Sequence, residues 1–197
     1  MAIHPIEYRY GTEEMKFVWS EDNRLHKLMM VEAALAKAEA DIGLIPKKAA
    51  DIISASTGLV ELDRVKEIED EIHHDMMAVV IGISEKCQGD AGKWVHFGAT
   101  SNDILDTATG LQLKEAVQIL EDKMHRLLDV LLMQADAHKH TVCAARTHGQ
   151  IGVPTTYGLR FAIWASEVAR HIERLEQLKP RLLVGQMTGA VGTQAPV

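Results

Sequence analysis

Aromatic residues are scarce, at 5% of the chain, and the 197 residues include only five prolines and two cysteines. Few aromatics beside many Ala, Leu, Met and Val favour helices over sheets. Cys87 and Cys143 lie far apart in sequence and do not form a disulfide framework, so a reducing cytoplasm is the simplest setting. The formal charge is −7 with no basic run, which argues against a nucleic-acid partner. No apolar run reaches the roughly 18 residues needed to span a membrane. Met1–Tyr10 lacks the basic start and apolar stretch of a signal peptide. There is no HExxH or CxxC pattern. The glycine-rich tail Gly185–Thr193 has neither a preceding strand nor the Lys-Ser/Thr ending of a phosphate-binding loop.

What is present is helical periodicity, in a chain long enough to bury a sizeable core. Before it, the start of the chain to Gly11 is expected to be irregular. Ser20 is placed to cap a helix carrying Leu25, Leu28, Met29, Val31, Leu35 and Ala38, stopped by Gly43 and Pro46. Pro46 opens a shorter helix that ends near Thr57-Gly58. Asp63 is expected to cap a third, with Val65, Ile68 and Ile72. At His73-His74-Asp75 two readings stand: Asp75 caps a fresh helix, or one helix runs on with a solvated polar patch. An Asp beside a His can fix its tautomer. Two adjacent histidines point about a hundred degrees apart on a helix, which argues against a shared metal. After a loop at Gly89–Gly92, Trp94–Ala99 is expected to be extended or irregular. A long helix then runs from Thr100–Asp103 to about His138, and another returns antiparallel from about Thr155 to Lys179. The expected fold class is all-α, with a small N-terminal helical domain at 1–93 and long antiparallel bundle helices at 94–197.

Between the two long helices lies a polar island, Arg146-Thr147-His148-Gly149-Gln150-Ile151-Gly152-Val153-Pro154-Thr155-Thr156-Tyr157-Gly158. Pro154 suits the first turn of the following helix, and Thr155 or Thr156 could cap it. A helix N-terminus beside Arg146 and His148 would suit an anion. The plain alternative is a simple helix–helix connection. Thr100-Ser101-Asn102-Asp103 supplies four capping side chains where one is enough, leaving the rest for a ligand or for water. Arg9-Tyr10 pairs a planar cation with a phenol, fit for a phosphate or for a solvated surface.

Gly98-Ala99-Thr100-Ser101-Asn102-Asp103 followed by Asp106-Thr107-Ala108 resembles one signature of the fumarase/aspartase superfamily. Arg146-Thr147-His148-Gly149-Gln150 followed by Pro154-Thr155-Thr156-Tyr157-Gly158 resembles a second. Arg9-Tyr10, His74-Asp75 and Trp94-Val95-His96-Phe97-Gly98 bring the resemblance closest to the adenylosuccinate lyase branch. It runs from about Ile6 to Thr193. His73 departs from the pattern, since many members place Arg there. The family's chain is about twice as long and carries a serine-bearing flexible loop that has no counterpart here. The expectation is therefore an N-terminal portion, with an incomplete bundle and no activity alone.

The resemblance implies β-elimination that releases fumarate from succinylated purine nucleotides, in purine biosynthesis. His148 would be the general acid, and His74 would orient it or bind substrate. Thr100, Ser101 and Thr147 would donate to the succinyl carboxylates. Arg9 and Tyr10 would hold the phosphate. His96 would line the site, and His73, Asp75 and Gln150 complete the substrate-binding set. No metal or organic cofactor is implied. The partners implied are a small-molecule substrate and further copies of the chain, in a homotetramer whose sites are each built from three subunits. Two alternatives are a non-catalytic helical assembly module and another lyase of the superfamily. Arg9, His74, Ser101 and His148 together favour a lyase, because packing alone does not call for four polar groups of these types.

Overall fold

The computed structural model describes residues 9–194. The irregular start expected before Arg9 lies outside these residues, as does Ala195–Val197. The elements are α1 (Glu13–Val18), α2 (Glu21–Asp41), α3 (Lys47–Thr57), α4 (Leu62–Ile72), α5 (Asp75–Lys86), a 3₁₀ turn (Ala91–Trp94), α6 (Ser101–Ala137), β1 (Val142–Thr147), β2 (Gln150–Thr156) and α7 (Tyr157–Leu182). The fold is mainly helical. It divides into two compact units, residues 1–115 with 183–197, and residues 116–182.

The first unit packs α2, α3, α4 and α5 around one core. Ile53, Ala78 and Ile83 are wholly inaccessible there, and Met76 and Ile104 nearly so. Ser20 caps α2 as expected, its hydroxyl accepting from Asn23 N at 3.2 Å. Asp63 does not cap α4. The helix starts two residues earlier than that cap implies, at Leu62, with Glu61 at the cap position making no side-chain bond, and Asp63 sits in the first turn where it favours the helix dipole. The run does break at the two histidines. His73 adopts φ 54°, ending α4, and His74, not the expected Asp75, caps α5, of which Asp75 is the first residue. The 3₁₀ turn ends at Trp94 and turns follow over 95–98, with Trp94 and Phe97 edge to face at 5.2 Å.

Polar side chains tie the end of α1 to α2 and the middle of α6. The Asn23 amide donates to Val18 O at 3.0 Å and to Glu115 at 3.0 Å. Lys27 pairs with Glu115 at 2.5 Å, and Gln112 donates to Val18 O at 2.7 Å. Burying these groups costs little because each is paired.

In the second unit α7 runs antiparallel to α6. Its start meets the end of α6, where Gly158 N donates to His138 O at 2.9 Å, and Lys179 near its end pairs with Glu121 at 2.5 Å. Pro180 lies inside the helix. The stretch before α7 is a β-hairpin, which neither reading of it, helix start at Pro154 or plain connection, foresaw. Val142 pairs with Thr156 and Thr147 with Gln150, with a bulge between Ala144 and Arg146. Pro154 therefore sits in a strand opposite Ala144, not in a helical turn. A two-stranded ribbon has edges on both sides, where a missing donor is tolerated. Thr156 caps α7, accepting from Leu159 N at 3.2 Å.

Gly158 lets the two long helices touch through backbone. A Cβ there would lie 2.6 Å from Ala135 O and from Lys139 Cα. Gly158→Ala forces these backbones apart, and we expect a loss of about 1–3 kcal/mol. A lowered melting temperature with helical circular dichroism retained below the transition checks it. An unchanged melting temperature would refute the close-packing account.

Candidate functional site

Among the described residues, four non-glycine positions have left-handed backbone: His73 (φ 54°), His96 (φ 63°), His148 (φ 48°) and Gln194 (φ 58°). Three of them are histidines from the candidate set. A left-handed non-glycine costs on the order of 1–2 kcal/mol and persists only where its surroundings hold it. Each of these histidines therefore sits at a turn that the fold enforces.

His148 and Gly149 (φ 73°) form the two-residue tip of the hairpin, with positive φ at both positions, as a type I′ turn requires. Thr147 and Gln150 flank the tip as the last register pair. Arg146, Thr147, His148 and Gln150 are all exposed, and neither ring nitrogen of His148 is bonded to another described residue. The tip lies seven residues of β2 before Tyr157, about 20 Å of extended chain. The helix N-terminus expected beside Arg146 and His148 is therefore at the other end of the strand. Within this unit it forms no anion site with them.

His74 is oriented by backbone. Its Nδ1 accepts from Met77 N at 3.2 Å, which puts the proton of the neutral ring on Nε2. Asp75 does not set this tautomer. Its Oδ1 stands 3.8 Å from Nδ1 and accepts instead from Met76 N at 2.7 Å, while Oδ2 lies 3.6 Å from Arg24.

His96 has a partner that the sequence reading missed. Glu32, 1% exposed, receives His96 Nδ1 on one carboxylate oxygen at 2.6 Å and His96 N on the other at 3.1 Å. Two turns further along α2, Glu39 is 2% exposed and neither of its oxygens has a partner among the described residues. Burial first, then the charge of Glu32, pushes its carboxyl up to about 7, against a smaller opposing pull from His96. A sequence signal existed. Glu32 and Glu39 fall on the apolar stripe of α2 with Leu25, Leu28 and Ala36, where a carboxylate is out of place.

The Thr100–Asp103 cluster resolves into a structural half and an idle half. Asp103, 1% exposed, accepts from Thr100 N at 3.0 Å, Thr188 N at 2.9 Å and Gly189 N at 3.1 Å. Gln186 and the Thr188 hydroxyl lie at 3.3 and 3.4 Å. Burial opposes ionisation, but these donors outweigh it and hold the carboxyl below its usual range. Thr107, one turn on, exchanges two hydrogen bonds with the Gln186 backbone at 2.9 and 3.2 Å. The hydroxyls of Thr100 and Ser101, half-buried, make no hydrogen bond among the described residues. Arg9 and Tyr10 are exposed.

A protein-family profile described as lyase matches residues 7–197. The chain belongs to this lyase family, within the fumarase/aspartase superfamily. It is 58% identical over 197 residues to a protein of Methanocaldococcus jannaschii named adenylosuccinate lyase, covering 99% of this chain and 43% of that one. It is 59% identical to a protein of the same name from Pyrococcus horikoshii, covering 99% and 44%. The crystal structure of a fumarate lyase from Mesorhizobium sp. BNC1 superposes with a TM-score of 0.87 at 34% identity, over 95% of this chain and 45% of that one. The chain spans less than half the length of the curated relatives it matches.

Glu39 yields a pH prediction. Its folded value, about 7, lies above the ordinary carboxylate value of 4.5, so the folded state binds the extra proton between them. Stability is then fully present below about 4.5 and lost as pH rises through about 7, by roughly 3 kcal/mol. Chemical denaturation at pH 5.5 and pH 8.5 is expected to show the drop, and Glu39→Gln to flatten it. Equal slopes in the two proteins would remove Glu39 as the cause.

Proposed function

We propose that the protein to which this chain belongs is an adenylosuccinate lyase, cleaving a carbon–nitrogen bond by β-elimination. The substrates are succinylated purine nucleotides, and fumarate is released. The observation that carries the reading is His148, on an enforced left-handed turn with both ring nitrogens unengaged, inside a chain of this identity to proteins so named.

The reaction needs a base for a C–H proton next to a carboxylate, donors for the negative charge that develops there, and an acid for the departing nitrogen. A base takes the proton, the electron pair forms the fumarate double bond, the C–N bond breaks, and the acid protonates the nitrogen. We assign the acid to His148, because an imidazole can both hold a proton and deliver it to the departing nitrogen. The base is not assigned among the residues of this chain. His74 orients the acid or binds substrate through its Nε2–H. Thr100, Ser101 and Thr147 donate hydroxyl hydrogen bonds to the succinyl carboxylates, and the idle hydroxyls of the first two support this. Arg9 and Tyr10 hold the nucleotide phosphate, His96 lines the site, and His73, Asp75 and Gln150 complete the binding set. In the whole protein we assign 1–93 to an N-terminal helical domain and 94–197 to the first part of a central long-helix bundle, a division distinct from the compact units of this chain. The working enzyme is a cytoplasmic homotetramer. The apolar side chains exposed along α6 and α7, Leu127, Leu132, Ile163 and Trp164 among them, support self-association.

Titration of the assembled chain with AMP and fumarate is expected to show specific, saturable binding, and heat indistinguishable from dilution would count against the reading. In an assembled enzyme that contains this chain, His148→Gln is expected to lower the single-turnover rate about a hundred-fold with the melting temperature unchanged. A structural histidine bracing the hairpin would instead cost about 1–3 kcal/mol of stability and leave turnover per folded site near normal.

A further inference from the structure

Glu32 and His96 form a pair whose geometry exceeds what packing requires. Both carboxylate oxygens of Glu32 are spent on one residue, Oε1 on the ring Nδ1 at 2.6 Å and Oε2 on the backbone N–H at 3.1 Å. The backbone of that residue is left-handed, with φ 63°. The His96 side chain is 13% exposed and that of Glu32 1%. Glu32 Oε2 accepts the backbone N–H, and an ionised carboxylate has no proton to give, so against Glu32 in that form it is Nδ1 that donates. The second bond holds the main chain in a conformation that a non-glycine residue otherwise avoids. The result is an imidazole fixed in place and in tautomer, with Nε2 as its remaining polar atom. His74 is fixed the opposite way, with Nδ1 accepting and Nε2 carrying the proton.

We propose that Glu32 is a positioning residue for His96, gripping it at Nδ1 and at the backbone so that Nε2 alone faces the nucleotide. The proposal rests on the reading that His96 lines a nucleotide site, and adds how that histidine is held and which atom it presents. Glu32 touches no ligand itself. The carboxylate–imidazole arrangement fixes ring orientation in the way a carboxylate orients a metal-ligating or catalytic histidine.

The test uses the 197-residue chain labelled with ¹⁵N in its histidines, with nitrogen–proton correlation spectra recorded at pH 8. Wild-type His96 is expected in the Nδ1–H form, and Glu32→Gln is expected to shift it toward the Nε2–H form. The amide keeps the size of the side chain but offers a single acceptor oxygen for two donors. The wild-type spectrum decides alone if the variant does not fold, since an Nε2–H ring at His96 overturns the proposal. Calorimetric titration with AMP is the second arm. Glu32→Gln, held below its melting transition, is expected to bind AMP about tenfold more weakly, the effect of about 1.4 kcal/mol. An unchanged tautomer or an unchanged affinity in the folded variant overturns the positioning role. Wild-type chain that binds no AMP would count against the lyase reading, while the tautomer comparison still decides whether Glu32 sets the ring.

Discussion

The carboxylate of Asp103 is the interaction on which the first unit closes. It sits in the first turn of α6 and accepts from Thr100 N behind it and from Thr188 N and Gly189 N, some 85 residues later in the chain. Thr107 continues the seam one turn on, and at Gly110 a Cβ would lie 2.7 Å from Val184 O. Positions 103, 107 and 110 thus form one stripe of α6 that receives the segment after α7 through backbone hydrogen bonds. The tail consequently belongs to the first compact unit although the whole second unit intervenes in sequence. A buried ionised carboxylate is costly unless its lone pairs are used, and here they are.

That seam also explains why the Thr100–Asp103 cluster is so rich in polar side chains. One carboxylate performs the structural task, so Thr100 and Ser101 are not needed as caps. Their hydroxyls remain at a positive helix end, half-buried and uncommitted. The cluster therefore joins a structural anchor to a pair of donors on consecutive residues, and the anchor fixes where the donors stand.

The histidines follow a similar division. His73 ends a helix, His74 begins one, His96 is gripped by Glu32, and His148 makes the tip of a hairpin. All four are at turns; a backbone amide orients the ring of His74, and the Glu32 carboxylate that of His96. No described residue engages the ring of His148 or of His73, whereas those of His74 and His96 are bonded. An imidazole meant to exchange a proton with substrate is best left unengaged, whereas one meant to orient or bind profits from a fixed tautomer.

The helical content, the Ser20 cap, the break at His73-His74 and the extent of α6 were legible in the sequence, because each depends on local periodicity or on a cap. The family was legible too, because its two signatures are short contiguous strings. The hairpin was not. β1 is a short run of small residues ending in Arg-Thr, β2 is interrupted by Gly152 and Pro154, and the two pair only with each other, so neither alternates cleanly. What makes them a ribbon is the left-handed pair His148-Gly149, with backbone anchoring of Tyr157 and Gly158 on the end of α6. Tertiary structure alone decided the long-range partners of Asp103 and the partner of Glu32. A carboxylate on an apolar helical stripe can be seen in sequence, but the donor that neutralises its burial cost comes from 64 or more residues away, and only the folded chain brings it there.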